Sequence, residues 1–145
     1  MRHVTHIASS LIVLGALMAS RGLRADEVAV VSARSTVTTL TRSQVADIFL
    51  GKTTRFPDGG QAVPIDQSEG TPARDEFYTR ITGKSAAQMK AYWSKIIFTG
   101  RGQPPRAVPS SSETKKLLVA NPNAIGYVEP RLVDETLRVV TVTQQ

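Results

Sequence analysis

Ser68, Glu69, Gly70 and Thr71 form a polar corner between the short apolar run Val63-Pro64-Ile65 and a helix start at Pro72. Thr71 is a capping residue type, and Pro72 suits the first helical position because its missing N–H costs nothing there. A strand, a glycine-containing turn and a helix N-terminus together present backbone N–H groups and the positive end of a helix dipole, which is the chemistry of holding an anion. Arg74 is the nearest cation to this corner, and Arg101 and Arg106 are further candidates for adding positive charge. Asp66 and Glu69 offer a pair of carboxylates for acid–base work. Two acids three apart at a turn are more often a solvated capping feature, so this pair is not assigned to catalysis.

The residues that are missing narrow the chemistry further. The two histidines, His3 and His6, lie at the extreme N-terminus, and the chain has no cysteine. Zinc sites built from Cys and His, haem or iron–sulfur ligation and His-based triads therefore lack their parts. No acidic calcium-type loop is present either. The sequence assigns no catalytic residue, no cofactor and no metal ligand.

Residues 1–25 read as a signal peptide: Arg2 opens a short basic region, Ile7–Ala19 is apolar but too short to span a bilayer, and small residues follow. Cleavage after Ala25 would start the mature chain at Asp26, with Ala19 as the alternative point. Loss of Arg2, Arg21 and Arg24 leaves 15 basic against 12 acidic residues, so the net charge falls from +6 to +3. The expected location is periplasmic or secreted, with no membrane span in the mature chain. Mixed charge and export both argue against a nucleic-acid partner.

Residues 26–145 are expected to form one domain with a single core. Glu27–Ser32 reads as a buried first strand. Ser35–Leu40 reads as a connection, and Thr41 with Gln44 makes a capping box for a helix that buries Val45, Ile48 and Phe49 and ends at Gly51. Residues 52–60 form a loop around Pro57-Asp58-Gly59-Gly60, and Gln61–Ile65 is the second strand. The helix from Pro72 to about Thr82 puts Ala73, Phe77 and Ile81 on one face. A second capping box, Ser85 with Gln88, opens a helix with Ala86, Met89, Trp93, Ile96 and Ile97 on one stripe. Thr99–Pro109 reads as a long loop, Ser110 and Glu113 cap a helix to about Ala120, and Ile125–Glu129 and Leu137–Val142 are the last strands. Strands separated by helices argue for an α/β layer with parallel pairing, and ligands of such layers gather at the carboxyl ends of strands, where Ser68–Thr71 would sit.

Several of these stretches resemble one family in the same order along the chain. Thr41–Lys52, with its Ile48-Phe49-Leu50-Gly51-Lys52, the Ser68–Thr71 corner, Trp93, and Ala124-Ile125-Gly126-Tyr127-Val128-Glu129 are similar to segments of the periplasmic phosphate-binding proteins of ABC transporters. The resemblance runs from about Glu27 to Val142. It implies an α/β fold that is a single lobe of a type II periplasmic binding protein, a mixed, mostly parallel sheet flanked by helices. It also implies that Gly70 and Thr71 take the place of the Gly-Thr that bonds phosphate. Glu69 stands where the family has Ser, and the Arg that begins the family's turn would fall near Ile65 or Asp66.

The ligand-binding set expected on these grounds is Ser68, Glu69, Gly70, Thr71 and Arg74, with Arg101 and Arg106 as additions. The expected partners are a small oxyanion such as phosphate and a membrane transporter or sensor. An inward Glu69 would oppose anion binding, so Glu69→Ser is expected to create or strengthen it. The alternative function is that of a shortened, non-transport relative acting as a periplasmic protein–protein interaction or sensor-accessory module, contacting its partner through residues 52–60 and 99–109. An enzyme is not expected.

Overall fold

The computed structural model describes residues 28–144, so the signal-peptide reading of residues 1–25 lies outside the described residues. The strands are β1 (Val28–Ser32), β2 (Thr39–Thr41), β3 (Val63–Gln67), β4 (Arg106–Val108), β5 (Ala124–Val128), β6 (Leu137–Val139) and β7 (Thr141–Thr143). The helices are α1 (Arg42–Phe49), α2 (Pro72–Thr82), α3 (Ala86–Phe98) and α4 (Ser111–Ala120), with a short 3-10 turn at Pro130–Leu132.

Five strands form one sheet in the order β4-β3-β5-β1-β6, and β2 pairs with β7 beside it. β3 is parallel to both β4 and β5, and β2 is parallel to β7. β1 is antiparallel to β5 and β6. The five-stranded sheet is thus mixed, with two parallel and two antiparallel pairings, and the separate β2–β7 pair brings the parallel pairings to three of five. The continuous apolar run of β1 arises from its position inside the sheet with both faces covered, and not from parallel neighbours.

The two faces carry two cores. On one side Val31, Ile125 and Tyr127 pack with Val45, Ile48 and Phe49 of α1, Phe77, Tyr78 and Ile81 of α2, and Met89 and Trp93 of α3. On the other, Val30, Ile65, Val108, Ala124, Val128 and Leu137 pack with Leu118 of α4. Gly126 lets α4 approach closely, since a Cβ there would lie 2.6 Å from Cγ2 of Thr114.

Both predicted capping boxes form. The Gln44 N–H donates to Thr41 Oγ1, and the Thr41 N–H donates to Gln44 Oε1. Ser85 and Gln88 do the same for α3. Ser110 accepts from the Glu113 N–H at α4.

Five expectations change. The second strand is Val63–Gln67, not Gln61–Ile65, because its last three residues pair with Arg106–Val108. That short strand lies inside the stretch read as a loop, where Pro104 and Pro105 hide it. Thr39–Thr41, read as part of a connection, pairs with Thr141–Thr143. The final strand is accordingly two short ones broken at Val140. On α3, Ala86 and Ile97 are exposed rather than part of the buried stripe.

Candidate functional site

The parallel strands β3, β4 and β5 end at one edge of the sheet, at Gln67, Val108 and Val128. α2 starts just beyond β3, and α4 just beyond β4. Between the two helix N-termini opens a cavity of about 500 Å³ lined by Gln67, Thr71, Pro72, Ala73, Glu76, Pro109, Ser110, Ser111, Glu129, Pro130 and Arg131. Two first helical turns therefore face one hollow, each contributing N–H groups and the positive end of a dipole.

The turn that leads into α2 is built from its own backbone. Gly70 takes φ 86°, which favours glycine. The Ser68 N–H donates to Val108 O at 3.0 Å and the Thr71 N–H to Ser68 O at 3.3 Å. Thr71 makes no capping hydrogen bond to the helix, contrary to the capping role expected of it. Its hydroxyl instead donates to Ser68 O at 2.9 Å. The first turn of α2 is consequently left without a side-chain acceptor, and Thr71, Pro72 and Ala73 line the cavity.

Glu69 turns away from this hollow. Its side chain is 64% exposed and lies 3.8 Å from Lys90 Nζ on α3. Ser68, Glu69 and Gly70 are not among the lining residues, whereas Thr71 is. Arg101 is exposed beyond α3, and Arg106 opens β4, two residues before the strand end that meets the cavity.

Arg74 is held below the corner by a buried carboxylate. Asp66, 2% exposed, accepts from the Tyr78 hydroxyl at 2.7 Å, the Tyr127 hydroxyl at 2.5 Å, the Gln67 N–H at 2.8 Å and Arg74 Nε at 3.3 Å. The Arg74 guanidinium also lies 5.1 Å from the centre of the Tyr78 ring. Four donors offset the cost of burying the Asp66 charge. Burial pushes both phenols upward, the nearby Asp66 carboxylate adds to the effect, and both stay protonated well above the usual tyrosine range. Burial disfavours the charge of Arg74, but Asp66 outweighs it and the guanidinium stays charged.

This network fixes the cavity floor. Gln67 donates through Nε2 to Tyr127 O at 3.0 Å and to Ser111 Oγ at 3.1 Å, tying the end of β3 to β5 and to the first residue of α4. Ser111 Oγ also accepts from the Glu129 N–H. Sequence reasoning missed Asp66, Tyr78, Tyr127, Gln67 and Ser111 as supports. The available signal was an acid at the end of an apolar strand with an arginine eight residues later. Charge at the rim is mixed, with Glu76 and Glu129 lining the cavity and Arg131 Nε bonded to Glu129 Oε2. Among the described residues no group of three or more acidic side chains is placed to hold a metal.

No protein-family model matches the chain, and no curated protein matches it. Solved structures do. An ABC-type phosphate transport receptor from Vibrio cholerae is similar over 81% of this chain, with a TM-score of 0.63 and 20% identity. A Clostridium perfringens protein assigned to the phosphate ABC transporter substrate-binding proteins, with bound phosphate, is similar over 81%, with a TM-score of 0.62 and 24% identity. PstS from Borrelia burgdorferi is similar over 81%, with a TM-score of 0.59 and 14% identity. The chain spans less than half the length of these proteins, 46%, 44% and 47% respectively. The fold is therefore that of a single lobe of such binding proteins.

Proposed function

We propose that the chain is an exported solute-binding protein that holds a small oxyanion such as phosphate against the first turns of α2 and α4. The observation that carries this reading is the uncapped first turn of α2, open on a cavity that it shares with α4 at the carboxyl ends of three parallel strands. The fold shared with phosphate-binding proteins supports it. In this reading Thr71 and the amides after it contact the ligand. Gly70 shapes the turn, and Ser68 closes it. Arg74 supports the site from below, and Arg101 and Arg106 act at longer range. Glu69 stays outside. The role is binding rather than catalysis, and a membrane transporter or sensor would take up the signal or the ligand.

Titration of ¹⁵N-labelled protein with phosphate, sulfate and acetate tests this. Amide shifts are expected at Gly70, Thr71, Ala73, Arg74 and Ser112. Shifts absent at tens of millimolar ligand, or confined to other residues, would overturn the assignment.

A second reading has its own support. The cavity wall is built from the starts of α2 and α4 and from Glu129, Pro130 and Arg131, and the chain covers only 44% and 46% of two of the matching structures. In that reading the chain is a periplasmic interaction or sensor-accessory module, and the wall together with residues 52–60 and 99–109 meets a protein partner. Crosslinking in cells through photoreactive residues placed on that wall would capture the partner. Clear anion binding without any crosslink would reject it.

A further inference from the structure

α3 ends on two large apolar side chains left exposed among the described residues: Phe98 is 93% exposed and Ile97 53%. Met89 and Trp93, on the inner face of the same helix, are buried. A single exposed apolar residue is ordinary, but an adjacent pair at one helix end is a feature. The end is held firmly. Gly100 takes φ 66°, its N–H donates to Ile97 O, and the Arg101 N–H donates to Ile96 O, both at 3.1 Å. These are the two bonds of a Schellman closure, in which the residue after the glycine commonly packs an apolar side chain back onto the helix. Here that residue is Arg101, so the closure does not cover the apolar pair.

The charge around the pair is of one sign in sequence. From Phe77 to Ser112 there is no Asp or Glu, while six basic residues occur. Lys90 is drawn to Glu69 and Lys84 lies over the Tyr92 ring. Lys95 and Arg101, which flank the pair, have no ion-pair partner among the described residues.

We infer that the Ile97–Phe98 end of α3, rimmed by Lys95 and Arg101, docks on an anionic lipid surface with Phe98 at the boundary between headgroups and acyl chains. Area and charge select this occupant. Two side chains present far less than the roughly 800 Å² per partner of a stable protein interface. A small apolar tip beside basic side chains instead suits the edge of an anionic bilayer, where each Lys or Arg adds attraction. No helix of the described residues is long and apolar enough to cross a membrane, so the contact is made from the surface.

Full-length protein sedimented with phosphatidylglycerol–phosphatidylcholine vesicles, and with phosphatidylcholine alone, tests the inference. Binding is expected to the anionic vesicles and to weaken with salt. Phe98→Ser is expected to weaken it about tenfold, from the lost apolar contact. Lys95→Ala and Arg101→Ala are each expected to weaken it roughly fivefold. Circular-dichroism melts of all three should match the parent, because the changed side chains are exposed. The apolar N-terminal stretch Ile7–Ala19 would also bind vesicles, so the site is read directly as well. In Phe98→Trp, emission should be quenched by lipids brominated on the acyl chain, beyond the signal of the buried Trp93. Absence of that quenching, equal binding to neutral vesicles, or unchanged binding of Phe98→Ser would overturn the inference. Capture of an acidic protein by a chain that ignores anionic vesicles would overturn it too.

Discussion

Asp66 is the residue on which the site's floor depends, since one carboxylate gathers two phenols, a backbone N–H and a guanidinium. The two phenols give this arrangement a pH signature. Tyr78 and Tyr127 titrate near pH 10 in the unfolded chain and higher in the folded one, so above pH 10 the unfolded state releases protons that the folded state keeps. The stabilisation is therefore fully present below pH 10 and declines as pH rises through the alkaline range. Two such groups give a loss of about 2.7 kcal/mol per pH unit, and chemical denaturation between pH 9 and 11.5 should show this slope roughly halved in Tyr78→Phe. A slope unchanged by that substitution would remove Tyr78 from the network. Glu69 gives a second residue-level prediction, and here geometry replaces the sequence expectation. Its side chain faces Lys90 in solvent, so water and salt screen it from the cavity. Glu69→Ser should change phosphate affinity by less than about twofold, as measured by calorimetry. Sequence located the turn that carries Glu69, but a side chain's direction depends on what stands opposite it. Lys90 comes from another helix.

At the level of elements, the strongest constraint is the seat of α4 on β5. The Cβ of an alanine at position 126 would clash with Thr114, itself fully buried, and crowd Leu118. Gly126→Ala is expected to destabilise the fold by about 1–3 kcal/mol, read as a lowered midpoint in urea with an unchanged slope. It should also disturb anion binding, because moving α4 moves Ser111 away from Gln67. The helices were legible in the sequence because their signals are local: a capping pair, a 3.6-residue apolar period and a terminating glycine all lie within one element. The short strands β2 and β4 were not. Each has three residues, and each becomes a strand only through a partner distant in sequence, such as Thr39–Thr41 beside Thr141–Thr143. The same reasoning explains why the corner before α2 was found while the Asp66 network beneath it was missed. The corner is a contiguous motif, whereas Tyr78 and Tyr127 reach Asp66 from 12 and 61 residues away.

For the molecule as a whole, the proposed binding role would have the described chain supply one wall of the cleft. An anion on an open wall keeps much of its contact with water. A unit charge about 4 Å away then contributes about 1 kcal/mol, against about 4 kcal/mol where the effective dielectric falls to 20. The difference of about 3 kcal/mol is roughly a hundredfold in affinity or more for each charge so placed. Glu76 and Glu129 on the rim, the latter joined to Arg131, reduce the gain further. Phosphate should therefore bind the chain at millimolar rather than micromolar concentration. The affinity should fall several-fold between about 10 mM and 300 mM sodium chloride, because an exposed site is screened within about a Debye length, roughly 10 Å at 0.1 M. Calorimetry at the two salt concentrations, with solution mass followed by light scattering, measures both points. Micromolar binding indifferent to salt would mean that a second wall closes over the ligand. A doubled mass under the same conditions would identify that wall as another copy of the chain.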